Sequence, residues 1–279
     1  MIGFFLIVFS AFMHSVWNVL LKKANNKYLF NYQMHVINLV VFTLLYPLLF
    51  RKFMFFDFSA VLFGFLSAIF FSLYHLFLST SYIYADVSLI YPVTTSSPLL
   101  VVIWAKLFLD EKITLFGLLG IFIITVGVII MHLTKIKGSI DNKGFLYALL
   151  AAFFYSIGSI IDKFGVSIDN FILYIYSLVF FMTLILAAQA NLRFNNHINH
   201  FIKNKKYVLF GGSVIFLSFL TYRLGLTYMQ VSYATSLRQV NAIFGVIISA
   251  FLLKEHITFK RIVGTLIIFI GAFLIKFSL

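Results

Sequence analysis

The chain is a succession of long apolar runs separated by short polar or charged clusters. Residues 115–131 and 262–275 are apolar apart from Gly and Thr, with none of the two-residue alternation that a lipid-facing β-strand requires. Reading each run between its polar flanks predicts ten helices, near 2–21, 31–50, 58–80, 86–109, 113–133, 143–165, 169–189, 207–227, 231–253 and 259–277. Each is close to the ~20 residues that cross a hydrocarbon core. The first run has no basic leader and no small-residue cleavage site before Lys22 and Lys23, so a retained span is expected rather than a signal peptide. The longest polar connection, 193–206, leaves no room for a soluble catalytic domain.

Composition makes lipid the necessary solvent. The 279 residues are 62% hydrophobic and 10% charged, far from the profile of a soluble domain. In lipid every backbone polar group must be satisfied internally, so the expected fold class is an all-α integral membrane protein. Its 37 Phe and 15 Tyr suit lipid-facing surfaces and interfacial belts. The net charge of +13 resides in short clusters between spans, where lipid headgroups rather than nucleic acid are the partner. The absence of Cys removes disulfides and thiolate metal sites. His14, His75 and His132 are scattered, without the clustered ligands of a membrane enzyme, and no P-loop is present. Neither enzyme activity nor any cofactor or metal is expected.

The order of residues contains a repeat. Leu109-Asp110-Glu111-Lys112-Ile113-Thr114 lies over Leu253-Lys254-Glu255-His256-Ile257-Thr258, and in the same register Gly120 and Gly127 fall on Gly264 and Gly271, and Ser88 on Ser232. With a small shift, Gly3, Ala11, Phe12, Ser15 and Lys22 fall on Gly144, Ala152, Phe153, Ser156 and Lys163. This divides the chain into 1–138 and 139–279, each with five spans. An odd number of spans forces the second copy to enter the membrane from the opposite side. Ten transmembrane helices as two inverted five-helix repeats are therefore expected, with a binding site near the midplane and alternating access by rocking of the halves.

With His14-Ser15-Val16-Trp17-Asn18 and Lys22 in the first span, Tyr91-Pro92 and Pro98-Leu99 in the fourth, and the Glu111 and Glu255 turns, the chain resembles the drug/metabolite transporter superfamily, specifically its EamA-type ten-helix members. The resemblance implies a secondary transporter, often an exporter of amino acids or other metabolites, whose cavity is lined by the first, third and fourth helix of each half. Related sequences often carry a basic residue shortly after the Tyr-Pro pair. Here that place holds Thr94, and Arg238, which aligns with it across the repeat, is the candidate to supply the charge.

Candidate substrate contacts follow from the cost of polar groups in lipid. Arg238 sits inside the ninth span, where a lipid-exposed charge costs about 2.5–3.5 kcal/mol. Thr235, Arg238, Asn241, Ala242, Gly245 and Ser249 recur at helical spacing as one polar, small-residue stripe. This is either a cavity wall that binds a carboxylate or phosphate, or a structural Arg held by carbonyls. Arg223 either binds substrate or snorkels to the interface beside Tyr222. His14 shares a face with Ser10 and Asn18, next to Trp17, and either relays protons and binds substrate or bonds a neighbouring helix. Ser72, His75, Ser79 and Tyr82 form a comparable stripe in the third span. Tyr91, Thr95 and Pro98 share a face of the fourth, where proline either frees carbonyls for ligand or merely kinks the helix. Asp86 reads as an N-cap, Glu111 and Glu255 as turn residues, the paired glycines as packing positions. Asp162 and Lys163 are adjacent and so do not face each other.

Deep charges that are Arg rather than Asp or Glu point to a small anionic or zwitterionic metabolite, such as an amino acid or carboxylate. The alternatives are a drug or lipid-like amphiphile, or a non-transporting membrane protein. A monomer in the cell (inner or plasma) membrane is expected, with a dimer as the alternative. With the N-terminus inside, thirteen Lys and Arg fall on the outer face and six on the cytoplasmic one, so the positive-inside rule favours both termini outside. The resemblance implies both inside, and that orientation is adopted. Accordingly, Asn204→Cys in this cysteine-free chain is expected to react with an impermeant maleimide added to intact cells; labelling only after permeabilisation reverses the topology.

Overall fold

The computed structural model describes residues 1–24, 26–84, 90, 93–132, 142–189, 194–254 and 257–279. Among them the regular structure is helical: α1 (Ile2–Lys23), α2 (Lys27–Leu49), a 3-10 turn (Arg51–Phe53), α3 (Phe58–Tyr84), α4 (Ser97–Leu109), α5 (Leu115–His132), α6 (Asn142–Val166), α7 (Phe171–Gln189), α8 (Phe194–Thr227), α9 (Val231–Arg238), α10 (Asn241–Leu253) and α11 (Phe259–Phe277). Eight stretches are long and apolar enough to cross a membrane, and Val93–Leu109 is a shorter apolar helix. α11 has 19 residues, with Lys260, Arg261 and Lys276 near its ends. The chain is thus a multi-pass membrane protein. Its lipid-facing surface carries large apolar side chains such as Leu48, Phe251 and Phe259, each more than 75% exposed, which water would not tolerate in such numbers.

The helices pair in a pattern that crosses the chain midpoint. α1 packs on α8, α3 on α6 and α5 on α11. In the first pair Gly3 abuts Gly225 while Ser10 donates to the carbonyl of Ser218 at 2.7 Å. In the second, Phe70 meets Phe154 and Tyr84 meets Tyr147. Both pairs therefore run antiparallel. In the third, a Cβ on Gly120 would lie 2.8 Å from the Gly271 carbonyl and one on Gly264 2.7 Å from that of Gly127. Backbone meets backbone there, the close approach that small residues permit in membranes.

Two spans depart from the predicted continuous helices, and a third is longer than predicted. The ninth breaks at Gln239–Val240, directly after Arg238, and resumes as α10. The fourth breaks at Ser96, and Pro98 then stands in the first turn of α4, where its missing N–H costs nothing. Pro98 thus starts a helix rather than kinking one. Asp110 and Lys254, which align across the repeat, both end their helices in the left-handed conformation, at φ 47° and 54°. The polar stretch expected to connect spans seven and eight is helical from Phe194 onward. Gln33 holds it by donating to the His197 carbonyl at 2.9 Å and meeting His200 Nδ1 at 2.8 Å. The expected N-cap Asp86 and the Glu255 turn lie outside the described residues.

Packing at the α5–α11 seam has a direct consequence for stability. Gly271→Ala is expected to lower stability by about 1–3 kcal/mol through overpacking, whereas Gly245→Ala, with nothing within 4 Å of its Cβ position, is expected to be neutral or stabilising. Thermal unfolding of the two variants in detergent compares them directly; equal responses would remove the seam's special role.

Candidate functional site

Helix breaks, small side chains and the cross-paired helices leave a cavity of about 1370 Å³ inside the bundle. α1 contributes His14, Ser15, Trp17 and Asn18; α3 contributes Phe71, Tyr74, His75 and Leu78; Thr94, Thr95 and Ser97 come from the broken fourth span. The other half contributes Tyr155, Phe219, Tyr222, Arg223, and the stripe Thr235, Arg238, Asn241, Ala242, Gly245 and Ser249. Lys22, His132, Lys254 and Arg261, from the ends of α1, α5, α10 and α11, surround one end. The opposite end carries a set of hydrogen bonds, some of them between the two halves of the chain. Glu111 accepts from the Val231 and Ser232 amides at 2.6 and 3.2 Å and from the Ser232 hydroxyl at 2.7 Å, satisfying orphan donors at the α9 N-terminus. Lys163 donates to the carbonyls of Leu226 and Met229 at 2.8 and 3.1 Å, and Gln230 to that of Lys112 at 3.1 Å.

Arg238 lines this space from the break in the ninth span. Its Cζ lies 4.2 Å from the Tyr222 ring centroid, a cation–π distance, and its Nη2 is 3.4 Å from His14 Nδ1. No carboxylate pairs with it among the described residues. Beside the adjoining break, Gln239 Nε2 lies 3.5 Å from the Thr95 carbonyl. Arg223 is different. It does not snorkel: its side chain is 3% exposed and its Nε donates to Asp162 Oδ1 at 2.9 Å. The Tyr174 hydroxyl also donates to Asp162 Oδ1 and lies 3.1 Å from Ser67 Oγ. Hydrogen bonds at Oδ1 offset part of the desolvation cost of this pair, while Asp162 Oδ2 is buried without a partner among the described residues.

Of the ten residues singled out as substrate contacts, His14, Trp17, Asn18, His75, Thr95, Tyr222, Arg223, Arg238 and Asn241 all line this cavity, while Tyr91 lies outside the described residues. The third-span stripe is not a single wall. Ser72 is buried, Ser79 bonds back to the Leu76 carbonyl at 2.9 Å, and the lining face is Phe71, Tyr74, His75 and Leu78. Sequence reading missed Tyr155, although the repeat register places it on His14. It also missed Asn31, whose side-chain oxygen, like the Trp17 indole nitrogen, is buried without a hydrogen-bond partner. His35 and Asn38, fully buried on α2 and likewise unpartnered, sit behind this wall, His35 with its ring 5.9 Å from that of Trp17. Among the described lining residues there is no Asp or Glu, and no three His, Asp or Glu side chains converge as a metal site requires.

A family model described as the EamA-like transporter family matches residues 1–133 and 142–277. A solved crystal structure superposes with a TM-score of 0.76 over 99% of this chain and 95% of its own, at 14% sequence identity, a likeness of fold alone. No curated protein matches the chain in sequence.

The Asp162–Arg223 pair sets an expectation for mutagenesis. Asp162→Ala leaves a buried guanidinium without its counter-charge and is expected to cost about 3–5 kcal/mol. Asp162→Asn combined with Arg223→Gln is expected to recover most of that loss in a thermal-shift measurement. A double variant as unstable as Asp162→Ala would show that the charges themselves are not the issue.

Proposed function

The chain belongs to the EamA-like transporter family, within the drug/metabolite transporter superfamily, and on that premise we propose that it is a secondary transporter, an exporter in the inner or plasma membrane, for a small anionic or zwitterionic metabolite. The observation that carries the substrate class is Arg238: an intramembrane guanidinium without a carboxylate among the described residues, on a cavity wall whose described residues include no acid. An ionisable group kept at such cost marks a substrate or ion path, and a guanidinium fork matches a carboxylate. The unpartnered Trp17 and Asn31 atoms add a donor and an acceptor for the polar part of a ligand. Trp17, Phe71, Tyr74, Tyr155, Phe219 and Tyr222 suit an apolar or aromatic body.

Two inverted repeats, 1–138 and 139–279, give the transport cycle. The antiparallel glycine contacts of α5 and α11, the matched helix breaks at Ser96 and Val240, and the matched left-handed residues Asp110 and Lys254 support this duplication. Tyr74-His75 of α3 and Tyr222-Arg223 of α8 occupy comparable places on the cavity wall. In the alternate state the halves rock so that the contacts of Glu111 and Gln230 between them open and the end near Lys254 closes.

Proteoliposome flux of phenylpyruvate, succinate, L-phenylalanine, L-lysine and tetraphenylphosphonium tests the substrate class. Movement of the anions or the zwitterion is expected, and Arg238→Gln is expected to reduce it about ten- to a hundredfold, the loss of a charge-assisted hydrogen bond. Selective movement of the two cations would overturn the reading.

A further inference from the structure

The contact between Arg238 and His14 links anion binding to a proton. Arg238 Nη2, which can only donate, approaches His14 Nδ1 at 3.4 Å, so the nitrogen facing it must hold a lone pair and the imidazole is neutral with its proton on Nε2. A protonated His14 would set a second cation against a guanidinium that has no carboxylate partner among the described residues, in a medium that screens poorly. An anion arriving on Arg238 supplies the missing negative charge and removes that penalty.

We propose that His14 is the coupling residue of the transporter: it takes up a proton when an anion binds Arg238, so that anion and proton cross together. This rests on the anionic reading above. The proton comes from solution at the open end of the cavity, forms an N–H bond at Nδ1 as Arg238 turns from the imidazole to the anion, and returns to solution when the anion leaves. No other bond is made or broken, and a monoanion crosses with no net charge, so its movement does not depend on the membrane potential. Linkage makes the effect reciprocal, so the proton strengthens anion binding by the factor with which the anion strengthens proton binding.

The groups around His14 leave this role to it. From α9 comes Arg238; from α8, Tyr222 and Arg223, the latter neutralised by Asp162; from α6, the phenol of Tyr155. α2 presents His35, buried behind Trp17 with neither ring nitrogen bonded, and α10 presents no titratable lining group. α1 itself adds Lys22 at the mouth. His75 of α3, across the cavity, is the other imidazole that could take the proton.

The His14 ring stands 4.8 Å from that of Trp17, edge to face, which provides an optical reporter because an imidazolium quenches indole emission. The chain has two Trp; the other, Trp104, donates to Ser156 at 3.0 Å and does not line the cavity. In full-length Trp104→Phe protein, titration with phenylpyruvate or succinate by calorimetry in two buffers of different ionisation heat counts protons. Uptake of about one proton per anion is expected, with affinity rising up to about tenfold for each unit the pH is lowered. Succinate, which absorbs little where indole emits, is expected to quench Trp17. His14→Gln is expected to abolish proton uptake, pH dependence and quenching while weaker binding remains, and His75→Gln is expected to retain all three. Binding to the His14 protein without proton uptake overturns the proposal without recourse to any His variant, and uptake that persists in His14→Gln but not His75→Gln moves the role across the cavity. Failure of both anions to bind overturns the anionic reading, and this inference with it.

Discussion

The cost of holding charge away from water organises the interior of this protein. Each buried ionic group meets that cost in its own way. Arg223 lies beside Asp162, itself bonded by Tyr174; Glu111 takes the free amides of a helix start; Lys163 takes two carbonyls left free near a helix end. Arg238 has the softest environment of the four, an aromatic face and a long contact to an imidazole. So weakly compensated a guanidinium suits the ligand-binding role proposed for it.

The same solvent constraint explains why the backbone breaks where it does. A helix interrupted in lipid would expose donors and acceptors at a cost of several kcal/mol, yet both fourth spans are interrupted, at Ser96 and at Gln239–Val240. Both breaks adjoin the cavity, where Thr95 and Gln239 are lining residues. Irregular backbone is tolerated at membrane depth because it faces a polar space. It also places Arg238 at the end of a short helix rather than midway along a rigid rod, so its side chain and the wall beyond it can move separately.

Cross-pairing of the halves gives the machine its stiffness. Backbone contact at the glycine seam of α5 and α11 leaves little freedom there, while the described hydrogen bonds between the halves at the end away from Lys254 include those made by the side chains of Glu111 and Gln230. Rocking about the seam would break those bonds without disturbing it. On the proposed cycle the halves stay together at the seam and part at the other end, the division of labour that alternating access needs.

What the sequence determined by itself is whatever is encoded locally or by order along the chain. Hydropathy over ~20 residues locates spans because each must satisfy its own backbone. The Glu111 and Glu255 turns and the spaced glycines carry the proposed duplication, because a repeat is a statement about order alone. The stripe from Thr235 to Ser249 was legible for a related reason: helical spacing places those residues on one side even across the break. Tertiary structure decided the partners. Arg223 and Asp162 are 61 residues apart, Glu111 and Val231 are 120 apart, and no local pattern says that they meet. The buried fate of Arg223, the place of Tyr155 and the contact of Arg238 with His14 depend on which helix faces which, and that is set by packing between halves distant in sequence.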